Sequence, residues 1–448
     1  MTTRNKKEPL VLLFGDFVVF YMALWLTLLL RYWRLPNNEL LGLHLASFSI
    51  IFIVWICVFF IAGLYEKQTL ILKSRMSGAI MNAQIANSVI AVIFFYLIAY
   101  FGITPKTNLF IDLLLSFGMI LLWRLYFFPS FEVRNKEQAI LVGTGVEMSE
   151  LEQEVNNNPR YGFTFVSTID LATKDGEGFE NEVATAIESA DATIVVADVR
   201  SERIGSLLPK LYDLIFSQVK FVDMHKLYED TFDRIPLSLV EYSWFLENIA
   251  GTAQKSYDFL KRSMDLILSF VLTLASLVFY PFVYVAIKME DAGPIFFAQE
   301  RVGKNNTLIR VVKFRSLEPH TSVDGIAPDP KPTTVGKFLR KTRIDELPQL
   351  WSVLNGDLSL IGPRPEIPRL VEHYEKEIPY YNIRHLIKPG LSGWAQLYQA
   401  APPKWGMGVN ETRTKLSYDL YYIKNRSLLL DLKVALRTIK TLLSREGV

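Results

Sequence analysis

Disulfide chemistry is all but absent from this chain: Cys57 is the single cysteine among 448 residues and lies inside an apolar run. An intrachain disulfide is excluded, and with it a small secreted scaffold held together by bridges. Charge is also scarce, at 21% of residues, while 50% are hydrophobic and 13% aromatic. This composition excludes a disordered or collagen-like chain and is too apolar for a purely soluble enzyme.

The formal net charge of +2 conceals an uneven distribution. Residues 1–135 carry 11 Lys/Arg against 6 Asp/Glu, residues 136–254 carry 9 against 21, and residues 255–448 carry 28 against 19. The regional balances are +5, −12 and +9, so three units in different environments are expected, with boundaries near 135 and 254.

Four apolar stretches fill the first region, at 10–30, 40–64, 76–103 and 109–128, interrupted by Asp16, Asp112 and Arg124. Each reaches the roughly 20 residues that a helix needs to cross a hydrocarbon core. Buried soluble helices rarely run this far without a polar face, so a bundle of four transmembrane helices is expected. The first run is too long and aromatic for a signal peptide, and no small-residue cleavage site follows it before Arg31; it should stay in the mature protein. Arg4, Lys6 and Lys7 precede the first run and Lys67, Lys73 and Arg75 follow the second, against Arg31, Arg34 and Lys106 on the other side. This excess favours a cytoplasmic N-terminus and returns the chain to the cytoplasm at Arg134 and Lys136.

A fifth apolar stretch, 266–287, contains Pro281, which cannot donate to the Leu277 carbonyl and should kink the helix. Lys261 and Arg262 precede it and Lys288 follows, so both ends prefer the cytoplasm, as in a re-entrant hairpin over 263–289. An ordinary kinked span satisfies the same residues, and the sequence leaves both readings open.

In the acidic middle, Ala139-Ile-Leu-Val-Gly-Thr-Gly145 reads as a buried strand entering a glycine turn, with further strands at 192–198 and 219–223. A small doubly wound parallel sheet, Rossmann-like, is expected. The third glycine of a dinucleotide fingerprint is replaced by Met148, and Glu147, Glu150, Glu152 and Glu154 crowd the helix start where a pyrophosphate would sit. Like charge opposes that ligand, so a degenerate regulatory or assembly module is expected. Tyr257 and Lys261 have the spacing of short-chain dehydrogenases but lie outside any strand and helix pattern, a chance match.

From Lys255 the motifs become dense: Lys261-Arg-Ser-Met-Asp265, Gly293-Pro-Ile-Phe-Phe-Ala-Gln299, Arg301-Val-Gly303, Lys313-Phe-Arg-Ser316, Arg343-Ile-Asp-Glu-Leu-Pro-Gln349, Asn355-Gly-Asp-Leu-Ser-Leu-Ile-Gly-Pro-Arg-Pro365 and Lys388-Pro-Gly-Leu-Ser-Gly-Trp-Ala-Gln396. Asp345 and Glu346 are adjacent carboxylates, with Pro348 expected in the first turn of a helix through Leu350 and Trp351. One carboxylate can attack phosphorus while the other holds a hard cation such as Mg²⁺ together with substrate phosphates. Acids that merely complement a helix dipole give the same pattern. Attack on a pyrophosphate needs cations for charge spreading onto the non-bridging oxygens, and Lys313, Arg315, Arg340, Arg343, Arg364, Arg384 and Lys388 all fall in or beside the motifs. A basic face also suits anionic lipid; nucleic acid is disfavoured because no recognisable binding module accompanies it.

In this order and spacing the motifs resemble the bacterial sugar transferase family, the monotopic phosphoglycosyl transferases. The layout of four spans, an α/β module and this domain resembles the family's large form. The resemblance covers about 190 residues and implies a mixed, mainly α-helical catalytic domain with a re-entrant membrane helix that breaks at its proline. It implies a ping-pong reaction in which Asp345 attacks the sugar-linked phosphate of a UDP-sugar, releases UMP, and passes the phosphosugar to undecaprenyl phosphate. Carried over, Glu346 is a metal ligand or base, Asp345 and Glu346 together hold Mg²⁺ or Mn²⁺, and Arg364 contacts phosphate or nucleotide. The family commonly has Ser before the helix-breaking proline; Tyr280 stands there instead, which puts the hydrogen bonding at that break in doubt. The resemblance further implies a multi-pass protein of the bacterial plasma membrane with a cytoplasmic catalytic domain, membrane-lipid contacts and a homodimer, at the first membrane step of a surface glycan.

Leu428, Leu432, Ala435, Leu436, Ile439 and Leu443 can line one face of a C-terminal helix, either on the membrane surface or against the catalytic core. Residues 398–407, with Trp405, are a candidate sugar-selectivity loop. Two rival readings fit the same layout. A non-catalytic scaffold or regulator of polysaccharide assembly would be expected to show decay at Asp345-Glu346, and a nucleotide-sugar dehydratase would need an intact glycine fingerprint.

Overall fold

The computed structural model describes residues 2–65, 73–97, 106–127, 136–158, 161–171, 192–200, 219–249, 255–291, 293–318, 331–399 and 408–444, with isolated positions at 185, 204 and 212. The chain divides into two compact units, Met1–Asp230 and Thr231–Val448.

The first unit opens with helices Thr2–Tyr32, Asn38–Ile61, Lys73–Leu97 and Lys106–Leu122, the last continued by a π-turn over Trp123–Phe127. Each contains a stretch long and apolar enough to cross a membrane. The ends of the third and fourth apolar runs, 98–103 and 128, lie outside the described residues, as does Lys67. Phe20, Phe52, Trp55 and Phe59 form an aromatic centre with ring separations of 5.2–5.6 Å. Asp16 and Arg124, isolated charges in the sequence, meet inside it: Arg124 Nε donates to Asp16 Oδ1 at 3.1 Å and Nη1 to the Leu64 carbonyl at 2.8 Å. Tyr65 donates its hydroxyl to Asp16 Oδ2 at 2.6 Å. In an apolar bundle each charge is tolerable only with the other as partner.

The same unit holds a four-stranded, wholly parallel sheet of β1 (Glu137–Gly143), β2 (Phe163–Asp170), β3 (Ile194–Ala197) and β4 (Lys220–Asp223), in the order β2-β1-β3-β4. Strands β1, β3 and β4 coincide with the three apolar segments read from the sequence. Strand β2 is an addition, carried by Phe163 and Phe165, which face inward with period two. Gly145, at φ 87°, makes the turn into helix Val146–Asn157, a conformation that costs a residue with a side chain. Met148 is buried on that helix, and the Met224 sulfur packs so close to Gly143 that a Cβ there would lie 2.6 Å from it.

The second unit begins earlier than the expected boundary at 254. Ile235, Val240, Trp244 and Phe245 are buried in one core with Leu370, Tyr374, Trp394 and Leu420. Trp394 Nε1 donates to the Asp233 carbonyl at 2.9 Å, which ties this lead segment down further. Helices Lys255–Ser276 and Phe279–Asp291 follow, bent by 53° at Leu277–Val278. Pro281 sits in the first turn of the second helix, where its missing N–H costs little, and the Tyr280 N–H reaches the Leu277 carbonyl at 3.2 Å. Phe259, Ile267, Phe270, Val278 and Phe282 are exposed along this pair.

Polar clamps fix the first of these helices to the rest of the unit. Arg262 donates to the Val353 and Leu354 carbonyls at 2.7 and 2.8 Å, while Asp265 accepts from Ser359 Oγ at 2.7 Å and Leu360 N at 3.2 Å. Strands β5 (Phe296–Val302) and β6 (Leu308–Phe314) form an antiparallel hairpin; β7 (Ser359–Ile361) and β8 (Gly390–Ser392) pair in parallel. Beside β7, Gly390 approaches the backbone of Gly362 too closely for any Cβ, which explains why two motifs place glycines there. The C-terminal helix Leu428–Ser444 packs through Asp431 and Val434, and Leu429, Leu432, Ile439 and Leu442 face outward.

Candidate active site

Helix Thr334–Thr342 is capped at its start by Thr333, whose hydroxyl accepts from Gly336 N. It ends at Arg343, which adopts the left-handed conformation at φ 54° and turns the chain into a 3-10 turn over Ile344–Glu346. Helix Gln349–Asn355 follows with Pro348 at its cap, as the motif predicts to within a residue. The two carboxylates therefore stand just ahead of a helix start. Asp345 is buried and Glu346 half-buried.

Three cations converge on Glu346 from different parts of the unit. Arg364, from the Pro-Arg-Pro segment, donates Nη2 to Glu346 Oε1 at 2.8 Å. Lys313 Nζ, from the end of β6, lies 3.6 Å from the same oxygen, and Arg343 Nη1 lies 3.8 Å from Oε2. Burial by itself pushes the Glu346 carboxyl up, but the Arg364 and Lys313 charges and the Arg364 hydrogen bond outweigh it and hold it at about 2. Asp345 moves the other way: burial and the adjacent Glu346 charge raise it, against partial compensation from Lys313, Arg340 and Arg364. Lys313 is lowered to about 8 by burial and by Arg364 beside it. Gln349, one turn onward, buries a side-chain Nε2 that has no hydrogen-bond partner among the described residues.

The other sequence-derived cations are placed differently. Arg340 is exposed on the helix before the turn, close enough for Asp345 to feel its charge. Arg315 is committed to Asp291, with Nη1 to Oδ2 at 2.8 Å and a second contact through Nη2, and so locks the entry to the hairpin. Lys388 stands with Arg262 at Gly356, the C-terminal end of helix Gln349–Asn355 and the end remote from Asp345. Arg384 is buried against Asp419, at 2.9 Å. Tyr280 packs on Phe314, ring centroids 4.9 Å apart; it and Pro281 lie in the first turn of the second helix, so the break falls at Leu277–Val278, ahead of the proline and not at it as expected. Of the candidate selectivity loop, Tyr398 stacks on Trp394, and positions 400–407, Trp405 among them, lie outside the described residues.

A second polar layer that the motifs do not single out backs the Arg364 segment: Glu366 pairs with Lys415, Asp419 and the Tyr381 hydroxyl hold Arg384, and Arg301 donates to the Pro365 carbonyl. Glu366 directly follows Pro-Arg-Pro, and Arg301 belongs to a motif of its own, which was the available signal.

Among the described residues no three His, Cys, Asp or Glu side chains group as a metal cage. Asp345 and Glu346 are two adjacent hard-oxygen donors, the number that Mg²⁺ or Mn²⁺ takes from protein where substrate phosphates and water complete the shell. The pair fits a cation of that kind.

A carboxylate pair with one member held ionised by surrounding cations, just ahead of a helix start, has the charge arrangement that phosphoryl chemistry uses. The sequence comparisons are specific. Residues 256–445 match the family described as bacterial sugar transferase. The UDP-N-acetylgalactosamine-undecaprenyl-phosphate N-acetylgalactosaminephosphotransferase of Aeromonas hydrophila is 43% identical over 210 residues, covering 45% of this chain and 48% of that one. The undecaprenyl-phosphate glucose phosphotransferase of Komagataeibacter xylinus is 30% identical over 337 residues, or 70% and 60% of the two chains. The exopolysaccharide production protein PSS of Rhizobium leguminosarum bv. phaseoli is 37% identical over 194 residues, 42% of this chain and 96% of that protein. The chain spans about half the length of the first relative and 60% of the second. It belongs to the bacterial sugar transferase family.

Proposed function

We propose that this chain is a polyprenyl-phosphate glycosyl-1-phosphate transferase that moves a phosphosugar from a UDP-sugar to undecaprenyl phosphate. The observation that carries the reading is the division of labour between the two carboxylates: Glu346 is held ionised by Arg364 at 2.8 Å, Lys313 at 3.6 Å and Arg343 at 3.8 Å, while burial and then that fixed charge make neighbouring Asp345 the more basic carboxylate. A more basic carboxylate, once ionised, is the better nucleophile. The names of the relatives supply the substrate class.

In the first half-reaction an Asp345 oxygen bonds to the sugar-linked phosphorus, and the bond from that phosphorus to the bridging oxygen breaks. UMP leaves with the bridging oxygen and its electron pair. In the second, a phosphate oxygen of the polyprenyl phosphate attacks the same phosphorus and restores the Asp345 carboxylate. Arg364 and Lys313 stabilise the negative charge on the non-bridging oxygens, and Arg343 and Arg340 extend the positive field toward incoming phosphates. Mg²⁺ or Mn²⁺ held by Asp345 and Glu346 would supply further charge neutralisation on the pyrophosphate.

The reading places the catalytic unit on the cytoplasmic face of a bacterial plasma membrane, as a homodimer, with Lys255–Ser276 and Phe279–Asp291 as a re-entrant pair. Support comes from their exposed apolar side chains, the 53° bend, and the basic Lys261, Arg262 and Lys288 at the two ends. Membranes carrying the protein should release UMP from a UDP-sugar in the presence of divalent cation, and Asp345→Asn should abolish the release. Full activity in that variant would sink the nucleophile assignment.

A further inference from the structure

The segment that delivers Arg364 is fixed at three successive carbonyls. Arg384 Nη2 donates to the Arg364 carbonyl at 2.9 Å, Arg301 Nη1 to the Pro365 carbonyl at 3.2 Å, and Val302 N to the Glu366 carbonyl at 2.8 Å. Pro363 and Pro365 flank Arg364 and restrict φ on both sides of it. With the backbone held, the remaining freedom of Arg364 is its side chain, and that reaches Glu346 Oε1 at 2.8 Å.

Arg384 is itself held from all sides. Its Nη1 donates to the Tyr381 hydroxyl at 2.7 Å, and Asp419 Oδ2 takes Nε at 3.2 Å and Nη2 at 2.9 Å. Glu366 Oε1 lies 3.8 Å from Nη1 and also pairs with Lys415. Despite burial, the Lys415 and Arg384 charges hold the Glu366 carboxyl at about 2, so Glu366 stays ionised beside them. The Arg384 side chain is 1% exposed, which leaves it no route to substrate.

Resting on the proposed transferase reading, we infer that Arg384 is a positioning residue: with Asp419 and Tyr381 it holds the Arg364 carbonyl so that the Arg364 guanidinium meets Glu346 and the transferring phosphate. A planar fork is needed because one side chain must serve a carboxylate, a hydroxyl and a carbonyl in different directions; a lysine ammonium has the charge without that geometry. Arg384→Lys is therefore expected to lower kcat for UMP release about tenfold to a hundredfold, the cost of displacing a catalytic group by about an ångström.

The test is a double-mutant cycle on the full chain in detergent or membranes, with UMP release as the readout. Arg364→Lys, Arg384→Lys and the pair are compared, with unfolding midpoints recorded alongside. If Arg384 acts through Arg364, adding Arg384→Lys to Arg364→Lys produces little further loss. Losses that multiply, or an Arg384→Lys single variant as active as the unchanged protein, overturn the inference. Should Arg384→Lys fail to fold, Tyr381→Phe removes a single oxygen from the same layer and takes its place in the cycle with the same two opposing outcomes. No UMP release by the unchanged protein with any UDP-sugar would instead defeat the transferase reading itself.

Discussion

Replacing Glu346 by glutamine removes one charge from the centre of the site and should move two ionisations in the same direction. Lys313 Nζ lies 3.6 Å from Glu346 Oε1. At an effective dielectric of about 20 such a pair is worth about 4–5 kcal/mol before screening. The two side chains retain 25% and 19% of their exposure, and other partners remain, so about 1–1.5 kcal/mol, about one pH unit, is the expected net change. Lys313, already lowered to about 8, loses the Glu346 charge that supports its protonated form, and its loss of charge moves toward neutral pH. Asp345, raised by burial and by Glu346, loses a like-charged neighbour and ionises at lower pH. The pH profile of kcat/KM for UMP release should therefore show the basic limb displaced downward by about one unit and the acid limb displaced in the same direction, on top of a reduced maximum. A profile with both limbs unmoved would refute the coupling of Glu346 to Lys313 and Asp345.

Three further outcomes follow from the packing. His385 is buried with neither ring nitrogen hydrogen-bonded among the described residues, and burial, then the Arg384 charge, lowers it to about 4. The unfolded chain takes up that proton near 6.5, so stability is full above this value and falls by up to about 3 kcal/mol as pH drops toward 4; urea midpoints across that window should fall less steeply in His385→Gln. Arg262→Ala leaves the Val353 and Leu354 carbonyls, at the far end of the helix that follows the Asp345 turn, without their charged donor and should cost about 1.5–3 kcal/mol in unfolding free energy, with a lower kcat. Asp16→Asn and Arg124→Gln should each weaken the apolar bundle more than half as much as the pair together, since either alone strands a buried charge; additive losses in detergent unfolding would contradict the pairing.

Long-period features of this chain are legible without coordinates. Four apolar runs announce four helices, and Ala139–Gly145 announces a strand and glycine turn because each signal is local. The Asp345-Glu346 pair and Arg364 were legible too, since the motifs name them. What the sequence hides is which charges face each other. Asp16 and Arg124 look like two flaws in separate helices until the bundle brings them together. Arg315 and Arg384 look like phosphate ligands, as Lys313 and Arg364 do, because a motif records that a guanidinium is needed and not whether it faces substrate or a buried carboxylate. The segment 231–249 reads as part of the acidic module by charge, but its Trp244 and Phe245 find their apolar partners within the second unit, to which it belongs. Phe163 and Phe165 carried a two-residue period too short to stand out among neighbouring polar residues.

The central claim is that Asp345 carries the phosphosugar between half-reactions. Intact-mass analysis of the full chain, after exposure to the UDP-sugar it turns over and before any polyprenyl phosphate is added, tests this directly. The account predicts a mass increase of one phosphosugar, mapping to the peptide that contains Asp345, discharged on adding the lipid acceptor and absent from Asp345→Asn. Turnover without any adduct, or an adduct on another residue, would contradict it.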